Sequence, residues 1–224
     1  MDVQEVAQHI ARYWDLRSST FDEEHDTEDK QAWMQTLSGL LGYDRTRNVL
    51  DVGTGSGFLA NMTAELGFPS IGVDISTGMM RNGVRRAAQQ GVGTVFMKVP
   101  AVELPFMDAT IDRIVNARLI WTMVASDDMA SEWFRVLRPG GEVFCFNRMD
   151  PENGLRRPDR GKGIYDDPDV DDALDLHDST CEELVRFLEA SGFEGVGIEH
   201  LPGLTRPGFD YQDWYVLRGR KPAG

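Results

Sequence analysis

The sequence predicts an α/β fold in which a doubly wound, mostly parallel sheet carries the ligand site, and three observations support it. Val49-Leu50-Asp51-Val52 reads as a short buried strand that stops at Gly53, Gly55 and Gly57, after which Phe58 to Leu66 continues as a helix. Short apolar strands then alternate with helical segments through five βα repeats ending near Asn147, the pattern of a wound sheet. A third sign is the apolar run from Ser70 to Ser76, which carries Asp74 seventeen residues past Gly57. A right-handed βαβ crossover delivers the end of the neighbouring strand at about that distance.

Composition bounds the rest. With 224 residues, 41% of them hydrophobic, the chain suits one globular domain plus a small elaboration. The net charge of −14 argues against a nucleic-acid substrate, because such proteins present a basic stripe to phosphates. Arg156, Arg157, Arg160 and Lys162 form the one basic cluster, and it reads as a solvated loop. The N-terminus is polar and no apolar run approaches the roughly 18 residues of a membrane span, so a soluble protein with no membrane partner is expected. Cys145 and Cys181 lack metal-ligand or disulfide spacing, which leaves no metal site implied and makes a reducing cytoplasm the expected compartment.

Residues 1–20 show a helical stripe of Val3, Val6, Ile10, Tyr13 and Trp14. An acidic stretch from Thr20 to Lys30 follows, and then a second helix from about Gln31 to Leu41 with Trp33, Leu37, Leu40 and Leu41 on one face. The chemistry begins at the glycine loop. A dinucleotide fingerprint requires G-x-G-x-x-G, and here Phe58 stands where its third glycine belongs, which disfavours a nicotinamide oxidoreductase. Asp51, just before the loop, would repel a pyrophosphate but suits a cation.

An acidic residue followed by G-x-G-x-G resembles motif I of the class I S-adenosylmethionine-dependent methyltransferases, here of the small-molecule type. That resemblance covers roughly residues 46–220 and makes the fold specific: seven strands, Rossmann-like, the last antiparallel. It implies S-adenosyl-L-methionine as cofactor, with Asp51, Gly53, Thr54, Gly55 and Gly57 against its methionyl part. Asp74 matches the family's ribose-binding acid, beside Ile75, and Met79 resembles the residue that packs on adenine. Ser76-Thr77 caps the helix that follows, to about Gln90.

Val95 to Val99 reads as a third strand. The family often continues with Gly-Asp-Ala-Glu, whereas this chain has Val99-Pro100-Ala101-Val102. Pro100 has neither carboxylate nor N–H, so adenine is expected to rest on backbone groups of Ala101 and Val102 and on apolar packing. Leu104-Pro105-Phe106 is a further resemblance. Ile111 to Ala117 is the fourth strand, and Asn116, Ala117 and Arg118 fall where the family places residues beside the methyl-transfer centre. Trp121 follows there as a substrate candidate, with an aromatic face for a cation. A helix from Asp127 to Leu137, a turn Arg138-Pro139-Gly140-Gly141 and a strand from Glu142 to Asn147 complete the fifth repeat.

The connection from Arg148 to Asp178, long and rich in Pro, Gly and charge, reads as a lid with one helical turn near Val170 to Leu174. Ser179 to Glu183 then caps a helix to about Ser191, and strands near Val196 to Leu201 and Tyr211 to Arg218 close the chain. The expected organisation is an N-terminal helical cap, 1–45, over a cofactor-binding core, 46–224, with the lid at about 148–178. Tyr13, Trp14 and Arg17 would close over the methionyl group, Arg17 pairing its carboxylate. His25 is the candidate base if the nucleophile needs one, and His177, at the far end of the lid, is a weaker second. The resemblance implies methyl transfer to a small-molecule acceptor by in-line attack on the sulfonium methyl. A protein acceptor, or a catalytically silent cofactor-binding partner, are the alternatives.

Overall fold

The structure, a computed structural model, describes residues 1–25, 28–150, 152, 154, 155, 165, 167–204 and 213–224, with the backbone alone at residues 24 and 25. Its centre is a seven-stranded sheet of β1 (Val49–Val52), β2 (Ser70–Asp74), β3 (Val95–Lys98), β4 (Ile111–Ala117), β5 (Leu137–Met149), β6 (Glu194–His200) and β7 (Asp213–Arg220). The spatial order is β3-β2-β1-β4-β5-β7-β6. Strands β1 to β5 pair in parallel, and β7 inserts antiparallel between β5 and β6. The order reverses between β1 and β4, and the carboxyl ends at such a reversal are where open sheets bind ligands.

Helices cover both faces: α1 (Val3–Arg17), α2 (Phe21–His25), α3 (Lys30–Leu41), α4 (Phe58–Glu65), α5 (Thr77–Gln90), α6 (Ser126–Val136), α7 (Pro168–Asp171) and α8 (Cys181–Ala190). Alternation of side chains along the strands divides the core. Ile114, Val143 and Cys145 face α6 and α8, whereas Val49, Val115, Phe144, Phe146 and Trp214 face α3 and α4. Trp33 of α3 is almost wholly buried against Trp214, Phe146 and Phe58 with ring centroids 4.9–5.3 Å apart. Burial of one such ring stabilises by about 3 kcal/mol. The two N-terminal helices expected to form one cap therefore divide, α3 belonging to a core layer and α1 lying elsewhere.

Two local readings differ from expectation. The acidic stretch after Thr20 contains a short helix, α2, although no apolar period marks it. The turn at Arg138 to Gly141 is absorbed into β5 as a wide bulge: Ile111 pairs with Leu137 and Arg113 already with Glu142. Gly140 supplies the positive φ of 75° the bulge needs. Of the connection after β5, the described part is packed. Val170 and Leu174 are buried against Val6 and Ile10 of α1, and Asp175 bonds to Met123 and to Ser126, the first residue of α6.

Helix α1 docks on α5 through one carboxylate. Asp15 Oδ1 accepts from the Ser76 hydroxyl and from Gly78 N–H, both at 2.7 Å, while Ser76 Oγ accepts from Met79 N–H at 3.1 Å. Burial acts to raise the Asp15 pKa, but these two hydrogen bonds, with Lys98 and Arg81, outweigh it and hold the carboxyl below its usual range. The approach requires glycine at 78: a Cβ there would sit 2.6 Å from Ser18 Oγ and 3.1 Å from the Asp15 carbonyl oxygen. Gly78→Leu should lift α1 off α5, with a cost of about 1–3 kcal/mol for the overpacked site. Hydrogen exchange checks this: amides of α1 should lose protection while those of β1 and β4 keep theirs, and unchanged α1 protection would refute the docking.

Candidate functional site

A cavity of about 460 Å³ opens over the carboxyl ends of β1, β2, β4 and β5, between them and α1. The glycine loop forms its floor. Gly53, Gly55 and Gly57 all take positive φ, at 67°, 54° and 77°, which glycine adopts without strain. Asp51 organises this loop from below, its Oδ2 accepting from Thr54 Oγ1 at 2.7 Å and from Ala60 N–H at 3.0 Å. The side chain is 2% exposed, and burial pushes its carboxyl up to about 7 against the two hydrogen bonds, with the charge of Asp74 adding to the rise.

Asp74 stands at the end of β2. Oδ1 accepts from Ser76 N–H at 2.7 Å and Oδ2 from Gly55 N–H at 2.8 Å, so the carboxylate ties the loop to the next helix. Burial raises its pKa too, opposed by the bonds from Ser76, Gly55 and Ile75 and reinforced by Asp15. A buried carboxylate, Asp51, and a half-buried one, Asp74, on one cavity wall make a site that a cation relieves.

The residues expected from the sequence sort into three groups. Tyr13, Trp14, Arg17, Asp51, Gly53, Thr54, Gly55, Asp74, Ile75, Met79, Ala101, Val102, Ala117, Arg118 and Trp121 all line the cavity, and so does Pro100. Met79 abuts the loop, its Cε 3.2 Å from where a Gly55 Cβ would stand. Gly57 and Asn116 lie off the wall. Gly57 packs beneath, where a Cβ would meet Phe96 at 2.8 Å, and Asn116 is wholly buried with its amide donating to Cys145 Sγ at 3.1 Å. His177 is also away from the cavity, with Nδ1 2.9 Å from the Leu174 carbonyl oxygen and Nε2 3.4 Å from Asp178. The side chain of His25, and the basic cluster Arg156, Arg157, Arg160 and Lys162, fall outside the described residues.

Arg118 does more than its position suggested. It sits at φ 60°, a conformation that costs a non-glycine residue about 1–3 kcal/mol, and its Nη2 lies 2.6 Å from Glu28 Oε1. The guanidinium also lies over the rings of Trp214 (4.7 Å) and Phe58 (5.2 Å). Glu28 is 2% exposed and takes a second bond from Trp33 Nε1, so the pair anchors the N-terminal segment to the end of β4. Around the far end of the cavity stand Tyr13, Trp14, Phe21 and Trp121, with Asn147 and Arg148 at the end of β5. Tyr165 closes this aromatic group from the lid side. It packs edge-on to Tyr13 and stacks on Trp121, and its hydroxyl bonds to Thr122 and Trp14. Sequence reading missed Asp15, Phe21, Glu28, Asn147 and Tyr165; a polar residue in the otherwise apolar run Val143 to Phe146 was the one signal available, for Asn147.

Residues 49–141 match the model of a methyltransferase domain. Among curated relatives, an uncharacterized protein of Mycobacterium tuberculosis is 37% identical over 97 residues, 42% of this chain. The chain spans about a third of the length of these first mycobacterial relatives, the match covering 35% of them. A ubiquinone/menaquinone biosynthesis C-methyltransferase of Azotobacter vinelandii is 28% identical over 193 residues, covering 77% of this chain and 76% of that one. Among solved structures, the cyclase SpnF superposes with a TM-score of 0.74 at 18% identity over 97% of both chains, which concerns the fold alone. S-adenosylmethionine, the cofactor of such methyltransferases, fits the residues present: the carboxylates of Asp51 and Asp74 for its cationic groups and ribose, and glycines that admit it to the backbone. The matched domain over residues 49–141, the strand order and the acidic glycine loop make the chain similar to the class I S-adenosylmethionine-dependent methyltransferases, whose fold it has.

Proposed function

We propose that the protein transfers the cofactor's methyl group to a small, ring-bearing acceptor enclosed at the aromatic end of the cavity. One observation carries the reading: a single cavity joins the carboxylate wall of Asp51 and Asp74 to the aromatic wall of Tyr13, Trp14, Phe21 and Trp121. In this reading α1 and α2 form the cap, the segment from Tyr165 to Leu174 forms the lid, and α3 belongs to the core. A roofed cavity suits a small molecule better than a protein side chain on its backbone. The similarity to a ubiquinone/menaquinone biosynthesis C-methyltransferase supports a quinone-type ring as the acceptor class.

The cofactor, when bound, supplies an activated methyl group; what this chain contributes is placement. Asp74 and the glycine loop would hold the ribose, Asp51 the cationic end and Arg17 the carboxylate, with Ala101 and Val102 beside adenine. Enclosure by α1 and the lid excludes water and holds the acceptor in line, effects worth about 7–11 kcal/mol in favourable cases. A general base is needed only for a weak nucleophile, and His25 is the residue proposed for that role. Incubating the protein with cofactor carrying a labelled methyl group and a panel of phenols, hydroquinones and soluble quinols should label at least one ring compound. Cofactor binding without label transfer to any of them would instead leave a silent cofactor-binding partner.

A further inference from the structure

Tyr165 joins three segments that are distant in the chain. Its phenol oxygen accepts from Trp14 Nε1–H of α1 at 3.3 Å and bonds to Thr122 Oγ1 in the turn Ile120–Thr122 after β4. The direction follows from chemistry: an indole N–H only donates, so the phenol proton is left for the threonine oxygen. Burial pushes the phenol pKa up, against the bonds to Thr122 and Trp14, so the hydroxyl keeps its proton across the physiological range. The ring stacks on Trp121 at 6.3 Å and stands edge-on to Tyr13 at 4.8 Å.

The lid side of this contact is the fixed one. Tyr165 N–H donates to Asp171 Oδ1 at 3.1 Å. Asp175 accepts from Ser126 N–H at 2.7 Å and donates its own N–H to the Met123 carbonyl oxygen at 3.0 Å, which seats the lid on the start of α6. Helix α1 is tied most closely at its other end. Ser76 and Gly78 donate to Asp15, and Asn82 Nδ2 to the Ser18 carbonyl oxygen, at 2.6–2.7 Å, which fastens the carboxyl end of α1 to α5. Toward the lid the contacts are longer, Trp14 to Tyr165 at 3.3 Å and the exposed pair His9 and Asp167 at 3.4 Å. Val6 and Ile10 packed on Val170 and Leu174 complete the seam, but apolar packing is non-directional. The two bonds of the phenol fix the seam in one closed position.

We infer that Tyr165 is a positioning residue acting through Trp14: its hydroxyl latches α1 shut over the cavity, and ligands exchange when α1 parts from the lid at this bond and pivots on its Asp15 end. This rests on the functional reading above, which seats the cofactor on the glycine loop beneath Tyr13, Trp14 and Arg17. A latch that does not touch the ligand favours the closed form equally with and without it, so it slows entry and exit alike and leaves affinity unchanged.

Stopped-flow binding of S-adenosylhomocysteine to the full chain, followed by tryptophan fluorescence, tests the latch. Tyr165→Phe keeps the ring and loses both bonds. Its association and dissociation rate constants should each rise about five- to thirtyfold, the factor for two modest hydrogen bonds, with Kd within about twofold of wild type. Thr122→Val, which removes one bond, should accelerate both by less. A merely structural role would raise dissociation alone and weaken Kd, and that result overturns the inference, as do unchanged rates in Tyr165→Phe. Should Tyr165→Phe fail to fold, Thr122→Val is scored by the same criterion. A wild type that binds no S-adenosylhomocysteine brings down the functional reading, and the latch with it.

Discussion

Asp51→Asn should stabilise the cofactor-free protein above pH 7 and at the same time weaken S-adenosylmethionine binding about ten- to a hundredfold. Both effects come from one buried carboxylate. Its folded pKa is raised from 3.8 to about 7, so the native state resists the charged form. The sign follows by linkage: the group costs nothing below pH 4, where both states are protonated, and its cost grows as pH rises to 7 and is constant beyond. The cost at pH 8 is on the order of 4 kcal/mol for an elevation of that size. Wild-type melting temperature should therefore fall between pH 5 and 7.5 more steeply than that of Asp51→Asn, which is isosteric and keeps one oxygen for Thr54 and Ala60. A bound cation reverses the preference. Cofactor affinity in the wild type should rise from pH 5 to 7 with uptake of the ligand coupled to proton release, visible by calorimetry in buffers of different ionisation enthalpy. The variant should show both effects more weakly, Asp74 alone remaining to release a proton. Equal affinity of variant and wild type at pH 8 would falsify the role given to Asp51.

Asp74→Ala should lower cofactor affinity at least tenfold, since hydrogen bonds to a charged acceptor are worth about 1.5–3 kcal/mol each. The structure extends this to Asp74→Asn. Both oxygens already accept backbone N–H groups, Ser76 on one and Gly55 on the other, so a carboxamide must turn its NH₂ toward one of those donors. The asparagine variant should bind little better than alanine, whereas a carboxylate acting only on the ribose would tolerate it. Calorimetry with S-adenosylhomocysteine, alongside circular dichroism to show the fold intact, decides between them. Affinity of Asp74→Asn within threefold of wild type would mean that the loop is held by something else.

What could be read from the sequence was local. The strand, glycine loop and helix from Val49 to Glu65 are encoded by neighbours, and Asp74 by a spacing that crossover geometry enforces. The capping boxes of α1 and α8 are similarly short-range signals. The parts that escaped are contacts across long stretches of chain: Asp15 reaches Ser76 over 61 residues and Arg118 reaches Glu28 over 90. No periodicity in either segment encodes such a meeting. Helix α3 was read correctly as a helix, but which surface it covers depends on Trp214 near the other end of the chain. Gly57, Asn116 and His177 had the residue types of a site, and the strand pleat and loop path set them away from the cavity. Pleat parity at β4 is one residue wide: Asn116 points into the core while Ala117 lines the cavity.

The insertion of β7 between β5 and β6 bears on how the chain is made. As the polypeptide leaves a ribosome, β1 to β5 can assemble in parallel, but β6 has no partner in the sheet until the residues of β7 follow it. Until Asp213 to Arg220 has emerged, β5 is an open edge and β6 a loose strand, both with unpaired backbone groups. Closure of the sheet thus waits for β7, and a nascent chain stalled within that strand would expose the apolar faces of Phe144 and Phe146 that Trp214 and Val216 otherwise cover.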